Sequence, residues 1–141
     1  MKYVLDASVA LKWLFSEPDS PAAHVVREDY LAGRTELAVP DIYVVELAHV
    51  VSKAHRRALI SEDVAGELLL EALASMPPVF ATASLLAQAF ELSLRFRTGV
   101  YDCLYLALAD QLHCELLTAD EKLLAKFASF PVVDLASYSA H

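Results

Sequence analysis

The chain has 141 residues, 57% hydrophobic and 21% charged, with only three glycines and a formal net charge of −8. That length fits one domain over residues 1–141, and the apolar share fills a core and excludes a disordered tail. Few glycines argue against a turn-rich sandwich or barrel, and the acidic balance has the wrong sign for holding nucleic acid by bulk electrostatics.

Lys2 to Leu5 is a short apolar run that stops at Asp6 and reads as a buried strand. Trp13, Leu14 and Phe15 follow closely; core packing is their first explanation and an interface patch the second. Pro21 to Leu31 reads as a helix with proline near its first turn. Leu37 to Val39 is a short strand, after which Pro40-Asp41 opens a helix running to about Ala58. Ser61 is the expected N-cap of the next helix, and Pro77-Pro78 ends that region. Val79-Phe80 forms a brief strand, Thr82 to Arg95 a helix, Gly99 a turn and Val100 to Leu112 another helix. Glu115 to Thr118 is a strand leading to Asp120; a short helix and a last strand, Pro131 to Val133, complete the pattern. This alternation predicts an α/β fold with a central parallel sheet flanked by helices. Ligands of such sheets sit at the carboxyl ends of the strands, and Asp6 and Asp120 fall just past two of those ends.

No membrane span is expected. The apolar start is broken by Asp6 and Lys12, unlike a signal-peptide core, and the uncharged stretch from Ala72 to Phe90 is interrupted by Pro77-Pro78. A cytoplasmic location is the resulting expectation. Cys103 and Cys114 flank a helical stretch that would hold their Cα atoms about 16 Å apart, too far for a disulfide. Both read as thiols in a reducing compartment.

Acids set inside apolar patterns carry the chemistry, because a buried charge needs a partner or a metal. Asp6 follows Tyr3-Val4-Leu5; Glu46 stands among Val44, Val45, Leu47 and Ala48; Asp102 precedes Leu104; Asp120 closes Leu116 to Ala119. Taken singly, Asp6, Asp102 and Asp120 read equally well as helix caps. Glu46 caps nothing in mid-helix, so its bland alternative is a salt bridge with Lys53 or Arg57. Spacing alone leaves open whether the four converge.

Four blocks resemble the PIN domain, in particular its VapC-type toxin branch. They are Val4-Leu5-Asp6-Ala7-Ser8, Val39-Pro40-Asp41 leading to Glu46, Tyr101-Asp102-Cys103-Leu104-Tyr105-Leu106-Ala107-Leu108-Ala109, and Leu116-Leu117-Thr118-Ala119-Asp120. The resemblance implies a metal-dependent endoribonuclease in which Asp6, Glu46, Asp102 and Asp120 form the acidic metal site, supported through hydrogen bonds by Ser8 and Thr118. Cys103 departs from the smaller residue common at that position, but removes no acid. The resemblance also implies an RNA substrate, a cognate antitoxin and a homodimer.

Carboxylates suit Mg²⁺ or Mn²⁺, which prefer oxygen ligands and activate water toward a phosphodiester. Zinc would call for His and Cys, and the five histidines show no ligand-like spacing to the two cysteines. Asp6 and Asp102 are the expected direct ligands, with Glu46 and Asp120 binding directly, through water, or positioning a second ion. His49, one turn from Glu46, is a second candidate near the site, though a surface or packing role competes. Lys53, Arg56, Arg57, Arg95 and Arg97 could hold phosphates around the pocket or simply be solvated. A dehalogenase-type phosphatase would need an acid where Ser8 stands, and a metal-dependent adhesion site a hydroxyl at Ala10. The remaining alternative is a PIN fold that binds partners and does not cut.

Overall fold

The computed structural model describes residues 1–139. β1 (Lys2–Leu5) is the central strand, and the chain first builds outward on one side of it, through β2 (Glu36–Pro40) and β3 (Val79–Phe80). It then returns to place β4 (Glu115–Thr118) against the other edge of β1, with β5 (Val132–Asp134) beyond. The order is β3-β2-β1-β4-β5, and every pairing is parallel. Direction therefore reverses between β1 and β4, and that reversal opens a crevice at their carboxyl ends.

The strands read as unbroken apolar runs because helices cover both faces of the sheet. Val4, Leu5, Val39, Leu116 and Leu117 are fully buried. The register sets Leu5 beside Leu117, and the amide of Asp6 still donates to the Leu117 carbonyl at 3.0 Å. Asp6 is thereby locked to β4 just where its side chain leaves the sheet.

The helices are α1 (Ala7–Leu14), α2 (Ser20–Leu31), α3 (Ile42–Arg56), α4 (Glu62–Ala74), α5 (Leu86–Phe96), α6 (Val100–Gln111) and α7 (Glu121–Lys126). α1 is the element that sequence patterning misses. It is only eight residues long, and its polar face is just Ser8 and Lys12, one turn apart, too brief a pattern to stand out after the apolar run of β1. Trp13 does pack in the core, and its indole N–H donates to the Ala23 carbonyl of α2 at 2.8 Å. Lys12, itself buried, ion-pairs with Glu17 at 2.5 Å and Asp19 at 2.7 Å, closing the α1–α2 connection.

Other boundaries shift by local chemistry. Residues Thr82–Ser84 form a single 3-10 turn before α5 begins at Leu86. Thr82 is held there by donating its hydroxyl to Asp41, the residue preceding α3. The left-handed residue that ends α5 is Arg97 (φ 52°); Gly99 is extended and caps α6. Ser61 caps α4 as expected, accepting from the Val64 amide. Phe96, Phe127 and Phe130 meet edge-to-face, with centroids 5.2–5.8 Å apart, and join α5 to α7 and to the approach to β5. Both cysteines are free, and burial pushes the Cys103 thiol up to about 11, so it stays protonated near neutrality. Among the described residues no helix is long and apolar enough to cross a membrane.

Candidate active site

The crevice at the carboxyl ends of β1 and β4 is a cavity of about 600 Å³ whose walls include Asp6, Ser8, Glu46, His49, Tyr101, Asp102 and Asp120. The four acids singled out in the sequence thus arrive from four places in the chain at one pocket. A groove of similar size between α3 and α4, about 570 Å³, is mostly apolar and gathers no acids beyond Glu62.

Asp6 sits deepest, at 6% exposure. It occupies the N-cap position of α1 but makes no side-chain cap hydrogen bond, so the simple capping explanation does not hold for it. Ser8 donates to its Oδ2 at 2.6 Å and Thr118 to the same oxygen at 2.8 Å. Each hydroxyl is tied down in turn: Ser8 Oγ accepts from the Ala119 amide at 3.0 Å, and Thr118 Oγ1 from the Asp120 amide at 3.1 Å. The pair fixes the carboxylate and lowers its pKa, but burial outweighs them, and together with the nearby charge of Asp120 raises it above the usual range.

Glu46 projects from the middle of α3. Neither Lys53 nor Arg57 pairs with it; instead Tyr105 of α6 donates to its Oε2 at 2.9 Å. Burial, joined by the charges of Asp6 and Asp102, pushes the Glu46 carboxyl up to about 7. Asp102 lies in the first turn of α6, two residues beyond its start, and the capping position belongs to Gly99. Burial raises its pKa too, followed by repulsion from Asp6 and Asp120, with Lys126 opposing. Asp120 does cap α7, accepting from the Lys122 and Leu123 amides at 2.9 and 3.3 Å. For this acid the capping reading is correct, and the cap is also what fixes it on the pocket wall.

None of the four carboxylates forms an ion pair among the described residues. Two like charges about 4 Å apart repel by about 4 kcal/mol at an effective dielectric of 20. Among the described residues, no three His, Cys, Asp or Glu side chains stand close enough together to hold a metal ion as they are placed. Oxygen donors, partial burial and the lack of an ion-paired partner together fit a hard divalent cation that keeps several of its waters.

A model of the PIN domain family matches residues 3–129, nearly the whole chain. This chain belongs to the PIN domain family. Over 129 residues it is 35% identical to Ribonuclease VapC3 of Pyrobaculum aerophilum, covering 90% of this chain and 95% of that one. Its fold matches the crystal structure of PAE2754 from Pyrobaculum aerophilum with a TM-score of 0.74 at 23% identity, over 97% of this chain and 85% of that one. A toxin-antitoxin complex from Klebsiella pneumoniae matches with a TM-score of 0.65 at 16% identity, over 94% of this chain and 97% of the other.

The PIN domain seen here also differs from the sequence reading around the pocket's rim. Lys53, Arg56, Arg57, Arg95 and Arg97 are all exposed and none lines the cavity; Arg56 instead donates to Ser52 at 2.7 Å. A cation whose charge does reach one of the acids, Asp102, is Lys126, which sequence spacing did not single out because it lies six residues past Asp120 on the short α7. His49 does line the pocket, as its position one turn from Glu46 suggested. Tyr105 was missed altogether, since it is embedded in an apolar run where an aromatic signals only packing.

Proposed function

We propose that this PIN domain is a metal-dependent endoribonuclease, the toxin of a VapBC-type toxin–antitoxin pair. The observation that carries the reading is the convergence of Asp6, Glu46, Asp102 and Asp120 on one pocket with no ion pair to any of them among the described residues. The name of the relative at 35% identity points the same way. Asp6 and Asp102 would hold the ion, while Glu46 and Asp120 would bind it directly or orient its waters. Ser8 and Thr118 hold Asp6 in place. When bound there, Mg²⁺ or Mn²⁺ would neutralise phosphate oxygens and make water a better nucleophile near neutral pH. It also answers the charge problem, because a bound cation reverses the local field where the scissile phosphate must sit.

The antitoxin and the homodimer belong to the same proposal. Val45 and Tyr101 are exposed at the pocket mouth, available to a covering segment. Leu86, Phe90 and Leu94 are exposed at four-residue spacing along α5, a continuous apolar stripe of the kind that association buries.

The test is incubation of the purified chain, free of any antitoxin, with total cellular RNA in Mg²⁺ or Mn²⁺, followed by sequencing of new RNA ends. Discrete ends that vanish with EDTA are expected. Intact RNA under both metals would contradict the nuclease, and would favour the PIN fold that only binds partners.

A further inference from the structure

The acids reach the pocket by two routes. Asp6 directly follows β1, and Asp120 lies just past the adjacent β4 and is held by its cap on α7, so the sheet and that cap fix them. Glu46 and Asp102 stand on separate helices. α3 packs chiefly on α4 and α1, and α6 chiefly on α5 and the sheet. That packing places the two helix backbones against the elements that carry Asp6, but it does not by itself fix the long Glu46 side chain.

One contact does. Tyr105 lies three residues after Asp102, nearly one turn along α6, and is fully buried. Its hydroxyl makes the one side-chain hydrogen bond between α6 and α3 among the described residues, to Glu46 Oε2 at 2.9 Å. A buried phenol needs an acceptor, but this acceptor is a carboxylate on the pocket wall, 59 positions away in sequence. Glu46 has no other side-chain hydrogen bond and no ion pair among the described residues.

We propose that Tyr105 is a positioning residue of the metal site: it holds Glu46 at Oε2, leaves the second carboxylate oxygen for the cation, and ties Glu46 to the helix that carries Asp102. This rests on the metal site proposed above. Partners of this kind, which orient a ligand without touching the metal, typically change metal affinity by 10- to 100-fold when removed. Tyr105→Phe keeps the ring in its buried slot and removes only the hydroxyl, so the packing of α6 is retained.

Calorimetric titration of the full chain with Mn²⁺ at pH 8 reads the effect without any activity measurement. Tyr105→Phe is expected to weaken Mn²⁺ binding about tenfold, with an unchanged far-UV circular dichroism spectrum. In a Glu46→Gln background the same substitution is expected to cause no further loss, because the hydroxyl acts only through Glu46. Wild-type affinity in Tyr105→Phe would overturn the proposal. So would an equal tenfold loss with and without Glu46, which would mark a general packing effect. If the wild-type chain itself binds no Mn²⁺, the metal-site reading fails first and takes this inference with it.

Discussion

Asp6→Asn is expected to reduce RNA cutting by at least about a thousandfold, equivalent to ~4 kcal/mol of transition-state stabilisation, while leaving the fold at least as stable as wild type. The two halves of this expectation have one cause. Asp6 is the most buried of the four acids and carries its charge against burial and against Asp120. An asparagine has the same shape and can turn its amide oxygen to the Ser8 and Thr118 hydroxyls, so both existing hydrogen bonds survive. What disappears is the negative charge that a divalent cation requires. Removing an uncompensated buried charge relieves the folded state, so the metal-free variant should melt at or above the wild-type temperature at pH 8. Initial rates on a mapped RNA substrate and thermal denaturation together check this. A variant that cuts at the wild-type rate would remove Asp6 from the chemistry, and one that loses both fold and activity would return it to a structural role. A PIN fold that only binds partners predicts no effect on partner binding from the same change.

Saturating Mn²⁺ is expected to raise the melting temperature by ~10 °C at pH 8, since ligand at a hundred times its dissociation constant contributes about 2.7 kcal/mol. The shift should shrink markedly at pH 5, and the sign follows from the carboxyls. Glu46 is pushed up to about 7, and Asp6 and Asp102 are raised as well, in each case first by burial. A carboxyl whose folded pKa lies above its unfolded value binds its proton more tightly in the fold. It imposes no penalty below the unfolded value, and the penalty grows as pH rises through the folded one. For Glu46 that window runs from about 4.5 to about 7. The metal-free protein should therefore lose stability across this window, and Mn²⁺ should restore it, because the cation competes with the protons for the same oxygens. Scanning calorimetry at pH 5, 6, 7 and 8 with and without Mn²⁺ measures both trends. A melting temperature indifferent to Mn²⁺ at pH 8 would count against an assembled site.

Much of this was legible in the sequence because parallel strands buried on both faces leave a plain signature. Tyr3-Val4-Leu5 and Leu116-Leu117 are short apolar runs, and the acid that follows each marks the carboxyl end of the sheet. Glu46 was legible for the opposite reason, as a charge in mid-helix with no cap to make. α1 was not, because eight residues with only Ser8 and Lys12 polar are too short a stretch to reveal a helical period. The last strand is displaced by a single residue, running to Asp134, whose side chain then caps the next turn by accepting from the Ala136 amide. The role of Asp120 as both cap and pocket wall needed the structure, since one carboxylate can accept from backbone amides and still line a cavity. The basic residues take the solvated alternative: Lys53 shares the face of Glu46 on α3 but lies two turns further along, and helical spacing gives a side chain's face but not its distance from a pocket. Tyr105 was invisible because its meaning lies in a contact to a distant helix, which no local pattern encodes.

The central claim is that these four acids hold a divalent cation. Anomalous diffraction from crystals of the chain grown with Mn²⁺, collected at the manganese edge, tests it most directly. The account predicts an anomalous peak in the pocket within about 2.3 Å of carboxylate oxygens of Asp6 and Asp102, and no such peak in Asp6→Asn. Crystals in which the manganese signal lies elsewhere on the protein, with this pocket empty at saturating Mn²⁺, would contradict it.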